Sequence, residues 1–381
     1  MKIGIVCYPT FGGSGVVATE LGIALSKKGH DIHFITYSQP VRLELLSNNV
    51  HFHEVNVPDY PLFHYQPYEL ALSSKLVNTV KKYKLDLLHV HYAIPHAYAA
   101  YMAKQMLKYE GIDIPIVTTL HGTDITLVGN HPFYKPAVTF SINKSDAVTS
   151  VSNSLKEDTQ RLFGIEKHIE VIPNFIDIEK QQPHFTDCQR SAMATEDERI
   201  ITHISNFRPV KRINDIIKIF NNIQKEIPAK LMMVGDGPDR EDAVKLVRKL
   251  GIKSKVIFFG NSYEIDRILC FSDLFLLPSE TESFGLAALE AMASGVPVIS
   301  SNTGGLSEVN KDSFSGYLSD VGDIDDMSEK ALKILKEPSI LKTYKENAKI
   351  QAKRFDIHQI VPKYESVYIK TLENYKVSML S

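Results

Sequence analysis

Residues 2–36 read KIGIVCYPTFGGSGVVATELGIALSKKGHDIHFIT. Lys2 to Tyr8 is a short apolar run rich in β-branched residues, which predicts a buried strand. Gly12, Gly13, Ser14 and Gly15 interrupt it. From Val16 to Lys28 the residues Val17, Leu21, Ala24 and Leu25 share one helical face, and Gly29 ends that helix. Asp31 to Thr36 predicts the next strand. Strand, glycine loop, helix and strand form a βαβ unit, the seed of a parallel sheet covered by helices.

The alternation continues outward. Leu85 to His91 and Ile114 to Leu120 read as strands with a helix, Ala97 to Leu107, between them, and Asp146 to Val151 is strand-like again. A second alternation starts near Arg199. Its strands are Ile200 to Ile204, Lys230 to Val234, Lys255 to Phe259, Leu274 to Leu277 and Val296 to Ser300. Its helices are Ile213 to Ile227, Arg240 to Leu250, Glu264 to Phe271 and Gly285 to Ala293. The expected organisation is therefore two α/β domains, residues 1–171 and 199–359, joined by a linker region at 172–198 that holds Pro173 and Pro183. An amphipathic helix near 360–381 is expected to pack back on the first domain. Ligands of such sheets bind at the carboxyl ends of the strands, here expected between the two domains.

The chain has 381 residues, enough for two domains, with 44% hydrophobic and 23% charged residues, which excludes a disordered chain. Lys plus Arg is 43 and Asp plus Glu is 45, a formal net charge of -2 that gives no support to a nucleic-acid partner. Cys7, Cys188 and Cys270 lack CxxC spacing, so neither a disulfide framework nor a zinc finger is expected, and a reducing cytoplasm is. No run reaches the ~18 apolar residues of a membrane span, and MKIGIVCY reads as a strand rather than a secretory leader. Lys75, Lys81, Lys82 and Lys84 read as a solvated helix surface, so no stable membrane anchoring is expected.

Three features could carry chemistry. The first glycine loop has the form G-x-G-x-x-A after a strand, but the second strand ends in Thr36-Tyr37-Ser38 rather than the acidic residue that a dinucleotide ribose needs. A tight turn for close packing, or helix amides facing an anion, are the other readings. His89, His91 and His96 could be weighed as zinc ligands, yet no cysteine or carboxylate completes a tetrahedral set nearby. The better reading puts Val90-His91-Tyr92 and Thr118-Thr119-Leu120-His121-Gly122-Thr123-Asp124 at strand ends facing the cleft. The third feature is Glu282-Ser283-Phe284-Gly285-Leu286-Ala287-Ala288-Leu289-Glu290. It follows a strand and opens a helix, with one carboxylate in the loop and the other about two turns into the helix.

That segment resembles the E-x7-E motif of the retaining GT-B glycosyltransferases of family four. The flanking Val234-Gly235-Asp236-Gly237-Pro238, Phe259-Gly260, and Gly304-Gly305 with Glu308 agree with it. The resemblance implies a GT-B fold, two Rossmann-like domains with parallel sheets facing across a cleft. The N-terminal domain would take the acceptor and the C-terminal domain the nucleotide sugar. It further implies that Glu290 binds the donor ribose, that Glu282 holds the sugar, and that amides near Phe284, Gly285 and Leu286 face the diphosphate. His121, in Leu120-His121-Gly122-Thr123-Asp124, matches the family histidine beside the donor sugar. Relatives usually carry Gly-Arg and, five residues after the Arg, a Lys. Lys211 fits that Lys, Asn206 stands at the Arg position, and Arg208 is taken as the replacement guanidinium.

Segments 12–17, 89–97 and 204–212 narrow the resemblance to the branch that makes N-acetylglucosaminyl-malate for bacillithiol biosynthesis. That branch implies UDP-N-acetylglucosamine as donor substrate and L-malate as acceptor, with no cofactor and no metal. Catalytic residues would be His121, Arg208, Lys211 and Glu282. Donor contacts would come from Gly15, Asn206, Arg208, Lys211, Gly235, Glu282, Phe284, Gly285, Leu286 and Glu290, and acceptor contacts from Ser14, Tyr92, Thr119 and Arg208. A lipid or polysaccharide acceptor and a UDP-sugar epimerase stay open as alternatives, as does a homo-oligomeric state.

Overall fold

The computed structural model describes every residue except 11, 12, 42, 44–47, 60, 63, 181–189, 263 and 381. Gly12, Cys188 and much of the expected linker lie outside the described residues. The chain forms two compact units, Met1–Asn174 with Ile357–Ser381, and Phe175–Asp356.

The first unit runs β1 (Lys2–Val6), α1 (Gly13–Lys27), β2 (Asp31–Thr36), β3 (Val50–Glu54), α2 (Tyr68–Tyr83), β4 (Leu87–His91), α3 (Tyr98–Tyr109), β5 (Ile116–Leu120), α4 (Lys135–Lys144), β6 (Ala147–Ser150), α5 (Asn153–Phe163) and β7 (Glu170–Val171). Its seven-stranded sheet has the order β3-β2-β1-β4-β5-β6-β7, with parallel pairing throughout. Every residue of β4 and β5 is buried, as a central strand covered on both faces requires. Local chemistry fixes the helix ends. Ser152 caps α5 by accepting from the Leu155 amide at 3.1 Å, and Gly164 closes it at φ +62.

The second unit runs β8 (Arg199–Ile204), α6 (Ile213–Glu226), β9 (Ala229–Val234), α7 (Arg240–Lys249), β10 (Val256–Gly260), α8 (Ile265–Cys270), β11 (Leu274–Leu277), α9 (Leu286–Ala293), β12 (Val298–Ser301), α10 (Leu306–Val309), β13 (Gly316–Ser319), α11 (Ile324–Leu335) and α12 (Pro338–Ala352). Its sheet order is β10-β9-β8-β11-β12-β13, again parallel. On α6, Ile213, Ile216, Ile217, Phe220 and Ile223 form one buried stripe in this unit's core. Each such side chain contributes about 1.5–3 kcal/mol by leaving water, so an Asp at Ile217 would remove the stripe's centre.

The chain then returns to the first unit in α13 (Ile357–Leu380), whose Glu365 accepts from His30 Nε2 at 2.9 Å and pairs with Lys28. Tyr364 and Tyr368, one turn apart on α13, are fully buried. Two α/β units with parallel sheets are the architecture that the alternation predicts. One expectation fails: Cys7 is free and buried, but Cys270 is disulfide-bonded. A single disulfide, unlike a framework of several, leaves no spacing signature in a sequence.

Candidate active site

The strand order reverses between β1 and β4 in the first unit and between β8 and β11 in the second. Outside the carboxyl ends of such a strand pair the two loops diverge and leave a crevice. The residues singled out from sequence collect at these two places.

In the second unit the loop after β8 carries Asn206, Arg208 and Lys211, and the loop after β11 carries Glu282. The Glu280 amide donates to the Val210 carbonyl at 2.8 Å, and the Lys211 ammonium is ion-paired with Glu282. Ser279 Oγ lies 3.5 Å from the same carboxylate oxygen. Arg208 and Asn206 are exposed, and the Arg208 side chain makes no hydrogen bond or ion pair among the described residues, while its carbonyl accepts from the Lys211 amide at 2.8 Å. The loop's floor is tightly determined. Phe207 is fully buried, and a Cβ on Gly235 would come within 1.8 Å of the Ser205 carbonyl oxygen, so only glycine lets the two loops nest. His203 completes the support. Its Nδ1–H donates to the Leu276 carbonyl at 2.8 Å, and Nε2 accepts from Ser205 Oγ at 2.7 Å. Burial holds this imidazole down to about 4, so it is neutral at pH 7.

Gly285 precedes α9 at φ +97, a conformation that any other residue adopts only under strain. A Cβ there would also meet Leu306 Cδ2 at 2.6 Å. The amides of the first turn of α9 are thus presented without side-chain cover at the helix start, where partial positive charge gathers. Glu290 lies one turn further on the same helix. Phe284 is different: its ring is buried edge-on against Phe355 at 5.6 Å, so its side chain belongs to the core and only its backbone can face a ligand.

In the first unit Ser14 opens α1 and Tyr92 follows β4, and their hydroxyls are 2.7 Å apart across the point of reversal. Tyr92 sits at φ +86, and its amide donates to the Thr119 carbonyl at 2.9 Å. Gly15 packs against the strand end: a Cβ would meet the Tyr8 carbonyl oxygen at 2.4 Å. That is the close-packing reading of the first glycine loop. His121 Nε2 is 2.8 Å from His91 Nδ1, and its ring lies 5.1 Å from that of Tyr92. Burial, and then His96, hold His121 down to about 3, so it acts as a neutral imidazole. Thr119 is brought to the site's interior and not to its surface. It is fully buried, with its hydroxyl 2.7 Å from both His89 Nε2 and Thr149 Oγ1.

Sequence reasoning missed the groups behind these residues. Asp124 Oδ1 accepts from the His121 and Gly122 amides at 3.2 and 3.0 Å, and Oδ2 from the Ala93 amide at 2.8 Å. One carboxylate therefore sets the turns after both β4 and β5. Burial pushes it up to about 6 against the pull of those amides. Tyr368 Oη meets His89 Nδ1 at 2.8 Å, a contact across 279 positions that local spacing could not reveal. The acidic residue next to the HG turn was the one available signal for Asp124.

Comparison with known proteins accords with this geometry. Residues 11–180 match Glycosyltransferase Family 4, and residues 186–351 match Glycosyl transferases group 1. The N-acetyl-alpha-D-glucosaminyl L-malate synthase of Bacillus anthracis is 45% identical over 381 residues, 99% of this chain and 98% of that protein. Among solved structures, a sucrose-phosphate synthase from Thermosynechococcus elongatus superposes with a TM-score of 0.80 at 19% identity, covering 98% and 99% of the two chains. HepE of Anabaena, solved in complex with UDP and glucose, also gives 0.80, at 20% identity over 96% and 99%. These two show the fold, and the Bacillus anthracis relative shows the family. The chain belongs to the family-four glycosyltransferases of GT-B fold.

Proposed function

We propose that this chain transfers N-acetylglucosamine from UDP-N-acetylglucosamine to the hydroxyl of L-malate, in the cytoplasm, as the first step of bacillithiol biosynthesis. The observation that carries the reading is the 45% identity, from end to end, to a synthase of that product. The crevice of the second unit suits the donor. Lys211 and Arg208 supply cations for a diphosphate, the start of α9 at Gly285 and Leu286 supplies amides, and Glu290 and Glu282 supply acceptors for ribose and sugar hydroxyls. Ser14 and Tyr92 in the first unit offer hydroxyls to a small dicarboxylate, and Thr119 supports them through the histidines. His121 stands beside them as a neutral hydrogen-bonding group for the donor sugar.

The reaction is retaining in this reading. The malate hydroxyl attacks the anomeric carbon on the face that the diphosphate leaves, and its proton passes to the departing β-phosphate oxygen. The bond from that oxygen to the sugar breaks, and the products are UDP and N-acetylglucosaminyl-malate. No protein nucleophile is needed. The chain's residues position the reactants and stabilise the charge that grows on the leaving group.

Incubation with UDP-N-acetylglucosamine and L-malate, with and without EDTA, followed by mass spectrometry, tests this. N-acetylglucosaminyl-malate and UDP should form at the same rate in both arms. Product only with lipid or polysaccharide acceptors, or a sugar isomer of unchanged mass, would replace the malate reading. Turnover lost in EDTA and restored by Mg²⁺ would refute the metal-free chemistry.

A further inference from the structure

A second cluster of chemistry lies in the first unit, toward the amino ends of its strands and away from Tyr92 and His121. Parallel pairing sets His33 of β2 opposite His51 of the edge strand β3, and Asp31 and His53 fall on the same sheet face by the two-residue period of strands. His51 Nε2 is 2.8 Å from Asp31 Oδ1, and His33 Nε2 is 3.5 Å from Asp31 Oδ2. The three ligand atoms lie within 4.8 Å of one another, so one ion can reach all three.

We propose that Asp31, His33 and His51 form a binding site for a divalent first-row transition ion, Zn²⁺ foremost, which clasps the edge strand β3 to β2.

The second observation is the state of His33. Its side chain is 1% exposed, and Nε2 has no hydrogen-bond partner, since 3.5 Å to Asp31 is beyond hydrogen-bond range. Its other nitrogen, Nδ1, is 2.8 Å from His53 Nε2. With the proton of His33 on Nδ1 and donated to His53, the Nε2 lone pair is left aimed at Asp31 and His51. This is the arrangement of metal-ligating histidines, which give their second nitrogen to a neighbour that fixes tautomer and ring orientation. Packing also holds the rings: His33 stacks on His51 at 4.5 Å and on His53 at 5.1 Å, with Tyr83 at 4.7 Å.

Two imidazoles and one carboxylate suit Zn²⁺ or its neighbours rather than Ca²⁺ or Mg²⁺, which require mostly oxygen. Two ammonium groups lie nearby. That of Lys2 donates to the Tyr83 carbonyl at 3.1 Å, and that of Lys82 lies 5.2 Å from the Tyr83 ring centre. They further disfavour a weakly held hard cation. His89, His91 and His96, weighed as a zinc set from sequence, are not the convergent group. His91 Nδ1 is bound to His121, and His96 Nδ1–H donates to the His91 carbonyl at 2.5 Å.

The test uses the untagged full-length chain, stripped with EDTA and titrated with Zn²⁺ by calorimetry, with Co²⁺ as a spectroscopic probe. One saturable equivalent should bind, raise the thermal unfolding midpoint, and with Co²⁺ give visible d–d bands. His51→Gln and Asp31→Asn should each weaken Zn²⁺ at least tenfold and abolish the bands. His51 is 36% exposed, so its replacement should leave the fold and the transferase activity intact. His131→Gln, an exposed histidine elsewhere, should bind like the parent. No saturable site in the parent, or equal binding by His51→Gln and Asp31→Asn, would overturn the proposal.

Discussion

Lys211 and Glu282, the cation and carboxylate on the two loops of the second unit's crevice, are bound to each other, and each side chain is 18% exposed. In the proposed reaction Lys211 faces the donor diphosphate, and its ion pair with Glu282 ties the two loops together at that point. Negative charge grows on the β-phosphate only as the bond to the anomeric carbon breaks, so a fixed ammonium acts mostly on the transition state. Lys211→Ala should lower kcat on the order of 10²–10³-fold, about 3–4 kcal/mol, with little change in donor KM. Lys211→Arg should rescue only in part, because a planar fork does not fit the place of an ammonium. The Lys211→Ala, Glu282→Ala double variant should be non-additive by ~0.5–3 kcal/mol. Steady-state kinetics decide it: wild-type kcat with a raised KM would move the charge-stabilising role elsewhere.

Glu290 stands one turn into α9, behind the amides at Gly285 and Leu286. If it accepts from a ribose hydroxyl, Glu290→Ala removes a charge-assisted hydrogen bond worth roughly 1.5–3 kcal/mol. UDP affinity should fall about tenfold or more while malate KM hardly changes. Calorimetry with UDP alone reads this, and unchanged affinity would remove Glu290 from the nucleotide site.

The βαβ alternation was legible because α1, α6 and the central strands satisfy their own periodicities within one short window each. The strand β3 was not, because VHFHE carries two histidines and a glutamate on a half-exposed edge and lacks an apolar run. The strand β13, with four residues and a glycine, gives too short a window. For the site, residues beside glycine turns announce themselves: Gly235, Gly285 and His121 stand where backbone geometry restricts the choice. Their supports do not. Asp124 works through backbone amides of two different loops, and Tyr368 reaches His89 from the far end of the chain. Such contacts exist only once the sheet has formed. Thr119 is the converse case, since a hydroxyl at a strand end looks accessible in sequence and the neighbouring strands bury it.

The hydrogen bond between Ser14 and Tyr92 spans the reversal point of the first sheet at 2.7 Å. Tyr92→Phe keeps the ring against Tyr8 and His121 but removes the bond. It should cost about 0.5–1.5 kcal/mol of stability and raise malate KM by up to about tenfold, with donor KM unchanged. Ser14→Ala should act alike, and the double variant should be no worse than either single one. Equal effects on both substrates would mean that the pair shapes the unit rather than the acceptor site.

Asp273, at the amino end of β11, ties that strand to β8. Its carboxylate accepts from the Ile200 amide at 3.0 Å, from Arg190 Nη2 at 2.8 Å and from Lys345 Nζ at 2.9 Å, with the side chain 5% exposed. The two strands so joined carry Lys211 and Glu282 on the loops at their other ends. Burial pushes the Asp273 carboxyl up, but Lys345, the Ile200 amide and Arg190 together pull it below the ordinary value. The folded chain thus binds this proton more weakly than the unfolded chain, whose Asp titrates near ~3.9. The carboxylate's contribution is fully present above that value and is lost as pH falls through the lower folded value. Asp273→Asn leaves two half-buried cationic donors without their counter-charge, which should destabilise the second unit by about 1.5–3 kcal/mol at neutral pH. Denaturant unfolding of both proteins should show that difference constant from about pH 7 to 5, and shrinking once pH drops below about 4. A difference that stays unchanged down to about pH 3 would mean that packing, not charge, makes Asp273 matter.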